Sequence, residues 1–261
     1  MTSTKKIYEF DDIALEELGL TDNDRAANEE FRAIKRVLLK AAFHNGGETK
    51  NRIMFTSVNG NEGKTFAAVN LARSISMEQN KTVLLVDANV INPKIDQLLS
   101  PTPERGLINY LNGEVEDIQE VMCNTDIDRL KVLPKGVDHF LSNELLASER
   151  MEKLLIEFNS RYDDRLVVFD APPLLGVNEA ATLATHMDQL VIVIEEGHTR
   201  VRDLMRIRAL IPENVQVHYL LNKTLQQSEW HARTPQGKRS VTKKQPRSID
   251  DTAQTGASAF N

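Results

Sequence analysis

The sequence RIMFTSVNGNEGKTFAAVN, residues 52–70, has the order strand, glycine-containing loop and helix. An apolar run ends at Phe55, a turn-forming stretch follows, and a segment typical of a helix begins at Lys64. This order predicts a phosphate-binding loop of the Walker A kind. The loop is a deviant form, because the first glycine of the pattern GxxxxGK[ST] falls on Val58.

The residue types in this loop suit the binding of a triphosphate. Gly60 and Gly63 would let the chain turn tightly, so that backbone N–H groups converge on the phosphates. Lys64 would reach the β- and γ-phosphates, and the hydroxyl of Thr65 would bind Mg²⁺. The same residues are also compatible with an ordinary turn that enters a helix with a surface lysine. The predicted nucleotide-binding residues of the loop are Asn59, Gly60, Asn61, Glu62, Gly63, Lys64, Thr65 and Phe66.

Two further apolar runs, TVLLVD (82–87) and RLVVFD (165–170), each end in an aspartate. Such runs are typical of buried parallel strands, and ligands bind outside the carboxyl ends of these strands. Asp87 and Asp170 are therefore expected to lie beside Lys64, where one carboxylate can hold Mg²⁺ and the other can activate an attacking hydroxyl. Taken singly, either aspartate could instead cap a strand end or form a turn.

Strands and helices alternate along the rest of the chain, with further apolar runs at 190–195 and 215–222. This alternation predicts an α/β fold with a mostly parallel sheet and helices on both faces. Residues 1–24 are expected to form a flexible arm, residues 25–223 the nucleotide-binding domain, and residues 224–261 a disordered basic tail.

Composition narrows the function further. The net charge of −6 combines −9 on the body of the chain with +3 on the tail from residue 224 onward, which has six basic and three acidic residues. An acidic body argues against a nucleic-acid-binding protein. The single cysteine, Cys123, excludes a disulfide framework and a paired-cysteine metal site, and it is expected to fill a small space in the core. Neither a signal peptide nor a membrane-spanning stretch is evident, so a cytoplasmic protein is expected.

The loop TSVNGNEGKT and the strands VLLVDANVINP and VVFDAPP together resemble the bacterial tyrosine kinases (BY-kinases) of capsular and exopolysaccharide systems, of the CpsD/CapB type. The similarity runs from about Glu29 to Lys223. This family belongs to the ParA/Mrp-like P-loop ATPases, which include the partition and septum-positioning ATPases. The resemblance implies that the chain binds ATP with Mg²⁺ and transfers the γ-phosphoryl group to tyrosine.

The resemblance also implies roles for single residues. Asp87 becomes the candidate general base for an incoming tyrosine hydroxyl, and Asp170 the carboxylate that holds Mg²⁺ through water. Asn222 ends the last predicted strand and falls where the wider group contacts adenine, although a strand-end asparagine in a turn is an equal alternative.

Self-association and a membrane partner are further implications of the resemblance. The family's self-association motif, ExxRxxR, falls on Glu29, Arg32 and Lys35, with lysine in place of the last arginine. A solvated charged helix face would explain these three residues as well. The family implies a nucleotide-dependent homo-oligomer, activated by a membrane-embedded chain-length regulator and therefore recruited to the inner face of the plasma membrane.

Four departures from the family pattern bear on activity. Asn89 and Ile91 replace an aspartate and an arginine in the motif DxDxR, Gly60 replaces a proline of the loop, and Ala171 replaces a serine or threonine. The tail also lacks the tyrosine cluster that family members phosphorylate on one another. The tyrosines of this chain are Tyr8, Tyr110, Tyr162 and Tyr219. Nucleotide binding is expected to survive these losses, whereas autophosphorylation of the tail is not.

Three functions are therefore weighed for this chain. The first is an ATP-dependent protein-tyrosine kinase of exopolysaccharide synthesis, and the second is a catalytically weakened nucleotide switch that scaffolds the polysaccharide machinery. The third is a ParA/MinD-like positioning ATPase. That class carries an extra lysine five residues before the loop lysine, and the position is Asn59 here.

Overall fold

The computed structural model of this chain describes residues 6–17, 25–43, 49–161 and 164–224. All of them belong to one compact unit, Met1–Leu225. None of the helices in these ranges combines the length and apolar character that crossing a bilayer requires. The predicted tail, apart from its first residue Thr224, lies outside the described residues, as does Tyr162.

The described residues form nine strands, eight α-helices and two short 3₁₀ helices. The strands are β1 (Ile7–Phe10), β2 (Arg52–Ser57), β3 (Thr82–Asp87), β4 (Leu99–Ser100), β5 (Cys123–Thr125), β6 (Leu130–Leu133), β7 (Arg165–Asp170), β8 (Gln189–Glu195) and β9 (Gln216–Asn222). The α-helices are α1 (Asp12–Glu17), α2 (Arg25–Phe43), α3 (Lys64–Ser76), α4 (Leu107–Leu111), α5 (Ser142–Leu146), α6 (Glu149–Arg161), α7 (Asn178–Thr185) and α8 (Val201–Arg208). The 3₁₀ helices are Ile95–Leu98 and Ile118–Glu120.

The strands form one sheet in the order β4-β1-β5-β6-β3-β7-β2-β8-β9. From β6 to β9 every neighbouring pair is parallel. Beyond β6 the sheet continues with β5, which is antiparallel to β6, and with the short strands β1 and β4. The predicted α/β fold with a mostly parallel sheet is confirmed.

Both faces of the central sheet are covered by helices, because its strands carry apolar side chains on both sides. In β2, Met54 packs into the core beneath α4 to α8, and Phe55 packs into the core beneath α1 to α3. Both side chains are completely buried. Burial on both faces explains why the central strands are unbroken apolar runs in the sequence.

The register of the central strands brings their carboxyl ends together. Asp87 of β3 is the direct neighbour of Asp170 of β7, and Asp170 in turn pairs with Phe55 of β2. The loop that follows β2 therefore starts beside both aspartates. Asp87 and Asp170 therefore lie together beside this loop, as the sequence predicted.

The first part of the chain differs from the flexible arm that the sequence predicted. Residues 7–10 form β1, which pairs with both β4 and β5, and Phe10 and Leu15 are buried in the core. The arm is therefore part of the sheet over these residues. Between residues 142 and 161 the chain forms two helices, α5 and α6, with a break after Leu146.

Gly106 lies where α4 meets the end of β6. The backbone N–H of Leu107 donates to the carbonyl of Pro134 at 2.8 Å, so the two segments are in close contact. A methyl group at Gly106 would lie 2.0 Å from the same carbonyl oxygen. This contact leaves no space for any other residue at position 106.

Replacing Gly106 with alanine is expected to lower the free energy of unfolding by about 1–3 kcal/mol, because overpacking displaces rigid backbone. Urea denaturation measures the change. Gly60→Ala is the matched control, since its added methyl group meets nothing within 4 Å. Equal losses of stability in the two variants would contradict this account.

Candidate functional site

The loop between β2 and α3 turns through two residues in the left-handed region, Asn61 with φ of 63° and Gly63 with φ of 95°. At Gly63 a side chain is also sterically excluded, since a Cβ atom would lie 2.0 Å from the side-chain nitrogen of Asn222. At Gly60 the protein itself does not exclude a side chain in this way. A Cβ atom at Gly60 would meet nothing within 4 Å, because this residue lies on the open outer side of the loop.

The side chain of Glu62 organises the loop from within. Although charged, Glu62 is completely buried. Its carboxylate accepts hydrogen bonds from the backbone N–H of Val58 (2.8 Å) and of Asn59 (3.0 Å) and from the side chain of Asn59 (2.9 Å). The hydroxyl of Thr199 donates the fourth bond, at 2.6 Å. Glu62 thus acts as an internal acceptor around which the loop closes.

The ends of β8 and β9 hold the same loop from outside. Asn222 donates to the carbonyl of Glu62 at 3.0 Å. Lys223 donates to the carbonyl of Asn61 and to the carboxylate of Glu195, both at 2.8 Å. Asn222, predicted to contact adenine, therefore supports the loop and also lines the cleft beside it.

A cleft of about 360 Å³ opens at this edge of the sheet. Its lining includes three lysines and no acidic residue among the described residues. The lining residues are Asn61, Gly63, Lys64, Thr65, Phe66, Asn89, Asn92, Lys94, Asn222 and Lys223. The predicted residues Asn59, Gly60 and Glu62 are not among them, so they can shape the loop but do not face the cleft.

The first turn of α3 faces the cleft with its positive end. The first intrahelical bond runs from Ala67 N–H to Gly63, and the N–H groups before it have no partner within the helix. Lys64 is buried, with 6% of its surface exposed, and its ammonium group makes no hydrogen bond or ion pair with the described residues. Free N–H groups and an unpaired buried cation favour an anion such as phosphate.

Asp170 lies directly beneath the first turn of α3. The hydroxyl of Thr65 donates to its Oδ2 at 2.6 Å, whereas its buried Oδ1 has no hydrogen-bond partner within the described residues. Burial raises the pKa of Asp170 to about 6, although Lys64 opposes the shift. A buried carboxylate with a free oxygen, next to a hydroxyl and an anion site, fits Mg²⁺.

Asp87 is fully buried beside Asp170 and does not line the cleft. Its two oxygens accept hydrogen bonds from the backbone N–H of Asn89 and of Ile95, both at 3.0 Å. Burial, together with the neighbouring carboxylate of Asp170, raises the pKa of Asp87 well above its ordinary value. In this conformation Asp87 closes the segment 88–95 into a loop.

The described residues contain no cluster of three or more His, Cys, Asp or Glu side chains that could hold a metal by themselves. A divalent cation at this site would therefore depend on Thr65, Asp170, water and the phosphates of a bound nucleotide. That donor set, with few protein ligands and substrate oxygens, is the one that Mg²⁺ prefers. The residues present thus fit a Mg²⁺–nucleotide complex.

Asn89 and Ile91, which follow Asp87 in the sequence, are two of the residues at which the site departs from the family pattern. Asn89 points inward, and its buried Oδ1 finds no hydrogen-bond partner among the described residues. Ile91, where the pattern has a cation, is 54% exposed and does not line the cleft. Asn89 thus places a neutral amide, whose oxygen has no partner among the described residues, where the family pattern has a carboxylate.

Sequence reasoning missed Lys94, Lys223 and Thr199. Lys94 lines the cleft only because Asp87 closes the loop that precedes it. Thr199 reaches Glu62 across 137 residues of sequence. No periodicity or motif marks such residues, since their positions follow from loop closure and from the order of the strands.

The three residues of the predicted self-association motif lie in different environments on α2. Arg32 and Glu29 form an exposed ion pair of 2.6 Å. Lys35 is buried, where it donates to the carbonyl of Ser74 at 3.0 Å and pairs with Glu78 at 2.6 Å. The solvated helix face suggested for these three residues is therefore wrong for Lys35, because its side chain binds α2 to α3.

A second cleft, of about 450 Å³, lies at the β1 and β5 side of the sheet and contains none of the predicted site residues. It reaches Cys123, whose side chain is buried. Burial raises the pKa of the Cys123 thiol to about 11. The thiol is therefore protonated near neutral pH, in agreement with the predicted packing role.

Comparison with known proteins relates the chain to the AAA-domain family and to tyrosine-protein kinases. It matches the family model of the AAA domain over residues 50–227. Tyrosine-protein kinase YwqD of Bacillus subtilis is 31% identical over 182 residues, which cover 70% of this chain and 74% of that protein. Tyrosine-protein kinase Wzc of Salmonella typhi is 36% identical over 143 residues, 55% of this chain but 19% of that protein, so the chain spans about a fifth of that relative. The kinase domain of the Escherichia coli tyrosine kinase ETK is similar in structure, with a TM-score of 0.71, 26% identity and coverage of 81% of both chains.

Glu62→Ala is expected to lower the free energy of unfolding by about 2–4 kcal/mol, because several buried donors lose their acceptor at once. Urea denaturation measures the loss. Glu149→Ala is the control, since Glu149 lies on the surface of α6 with its side chain 90% exposed and 4.0 Å from Lys153. A loss below about 0.5 kcal/mol in both variants would show that the Glu62 carboxylate does not hold the loop.

Proposed function

The chain belongs to the AAA-domain family and, within it, to the bacterial tyrosine kinases, and from this premise we propose that it is an ATP-dependent protein-tyrosine kinase of exopolysaccharide or capsule synthesis. One observation carries the proposal. The unpaired Lys64 and the first turn of α3 line one cleft, and the buried Asp170 accepts a hydrogen bond from Thr65 beside it. This combination suits a nucleoside triphosphate with its metal.

In the proposed reaction Lys64 and the N–H groups of α3 bind the phosphates of ATP and stabilise the charge that develops during transfer. Thr65 and Asp170 would hold Mg²⁺, which would neutralise negative charge on the phosphates. Asn222 and Phe66 line the cleft beside these residues, where a nucleoside would lie.

Asp87 remains the candidate base for the tyrosine hydroxyl. To accept that proton it would exchange one of its two backbone hydrogen bonds, from Asn89 or Ile95, for the incoming hydroxyl. Burial and the neighbouring carboxylate of Asp170 raise its pKa, which makes Asp87 a stronger base than an exposed aspartate.

The proposal includes assembly and location. The exposed pair of Glu29 and Arg32 supports self-association through α2, in a homo-oligomer that depends on nucleotide. A membrane-embedded chain-length regulator of the polysaccharide machinery is the proposed activating partner, which would recruit the chain to the inner face of the plasma membrane. The names of YwqD and Wzc, both tyrosine-protein kinases, support the reaction class.

Phosphotyrosine formation tests the proposal directly. The purified chain is incubated with ATP, Mg²⁺ and a synthetic glutamate–tyrosine copolymer, and phosphotyrosine is measured over time. Lys64→Ala is expected to slow the transfer by about a hundredfold or more, because it removes a preorganised charge from the transition state.

Lys153→Ala is the matched control, since Lys153 lies on the surface of α6 with its side chain 75% exposed and outside the cleft. It is expected to retain the full rate. The proposal fails if the unmodified chain forms no phosphotyrosine, or if Lys64→Ala is as active as the control.

A second candidate function, a nucleotide switch with weakened catalysis, is favoured by Asn89. This residue places a neutral amide where the family pattern has a carboxylate, and its Oδ1 is buried without a partner within the described residues. Such a chain would assemble with ATP and turn it over only slowly. It would then act on the polysaccharide machinery as a scaffold.

Asn89→Asp is expected to raise the rate of phosphoryl transfer about tenfold, because it restores a carboxylate near the metal. Rates are compared with those of Asn178→Asp, the same change at the exposed start of α7. An unchanged rate in Asn89→Asp would show that the amide does not limit catalysis, and the argument for the switch would be lost.

A further inference from the structure

Lys94 is the second unpaired cation of the cleft. Its side chain lines the cleft together with Lys64 and Thr65, and it is partly buried. Its ammonium group makes no hydrogen bond or ion pair with the residues that the structure describes. Lys223, the third lysine of the lining, is by contrast paired with Glu195.

The loop after β3 is built so that Lys94 reaches the cleft. Asp87 accepts hydrogen bonds from the backbone N–H of both Asn89 and Ile95, so its carboxylate joins the two ends of the loop. Inside the loop, the side-chain nitrogen of Asn89 donates to the carbonyl of Asn92 at 2.9 Å. Lys94 precedes the clamped residue Ile95 and is therefore fixed at the cleft.

Ile91 occupies the position where the family pattern supplies an arginine, and it points away from the cleft with 54% of its surface exposed. Positive charge is thus absent from that position but present three residues later. Lys94 interacts electrostatically with Asp170, but a partly buried ammonium group without a hydrogen bond or ion pair is stabilised further when an anion binds to it. The terminal phosphates of a nucleotide are the anions that a cleft with this lining would take.

We propose that Lys94 is a phosphate-binding residue that contacts the terminal phosphate of the bound nucleotide and replaces the cation missing at Ile91. The inference rests on the proposed function in one respect, that the cleft binds ATP. Contact with the terminal phosphate makes Lys94 selective for a triphosphate over a diphosphate. It also places a positive charge where negative charge moves during phosphoryl transfer.

Calorimetric titration of the full chain with ATP, ADP and AMP, with and without Mg²⁺, tests this role. Lys94→Ala is expected to weaken ATP binding about tenfold, ADP binding much less, and AMP binding not at all, while Lys94→Arg retains the preference for ATP. A tenfold change corresponds to about 1.4 kcal/mol. Lys153→Ala, on the surface of α6, is expected to bind all three nucleotides as the unmodified chain does.

Equal weakening of all three nucleotides, or no weakening, would overturn the role of Lys94. Thermal unfolding of each variant shows whether it folds. If Lys94→Ala does not fold, Lys94→Arg tests the role of the charge. The unmodified chain could prefer ATP to ADP, lose this preference in Lys94→Ala, and yet form no phosphotyrosine. That result would refute the kinase but would support Lys94 as a phosphate contact. A chain that binds no nucleotide would refute both.

Discussion

The hydrogen bond of 2.6 Å from the hydroxyl of Thr65 to Asp170 ties the first turn of α3 to the end of β7. Asp170 is one of two carboxylates that the parallel sheet brings together, because Asp87 and Asp170 are neighbours in register. Two buried acids without a counter-charge destabilise a fold, and burial accordingly raises the pKa of Asp170 to about 6. The hydroxyl, backbone N–H groups and lysines around them therefore stabilise the protein as well as shape the cleft. A cation that binds here would add to that stability.

The shape of the phosphate-binding loop depends on segments far away in the sequence. The carboxylate of Glu62 closes the loop from within, while Thr199, Asn222 and Lys223 hold it from the ends of β8 and β9. These donors follow β8 and β9, which lie beside β2 in the sheet but come from the far end of the sequence, so the loop conformation depends on the complete domain. This dependence explains why the loop can lack the usual first glycine, whose position is held by the buried Val58. Support from outside replaces the freedom that the glycine would give.

Sequence patterns predict the part of this protein that rests on buried strands. The meeting of Asp87 and Asp170 was predictable, because parallel strands end at one edge of the sheet. The strand β1 was missed, because a four-residue strand at the edge gains its stability from pairing and not from an apolar run. The burial of Lys35 was missed because a charged residue is rarely buried unless it is paired, and only the packing of α2 on α3 supplies its partners. Lys94 depends on loop closure, which no periodicity records.

Charge balance links Asn89, Ile91 and Lys94. Relative to the family pattern, Asn89 removes one negative charge and Ile91 removes one positive charge, so these two changes alone leave the net charge of the site unaltered. If Lys94 binds phosphate as proposed, the site regains a cation without regaining the carboxylate and becomes more positive. Such a site binds a free triphosphate more strongly and Mg²⁺ less strongly, because the metal has one carboxylate fewer nearby. The balance between nucleotide and metal affinity would then separate this chain from relatives that keep both charges.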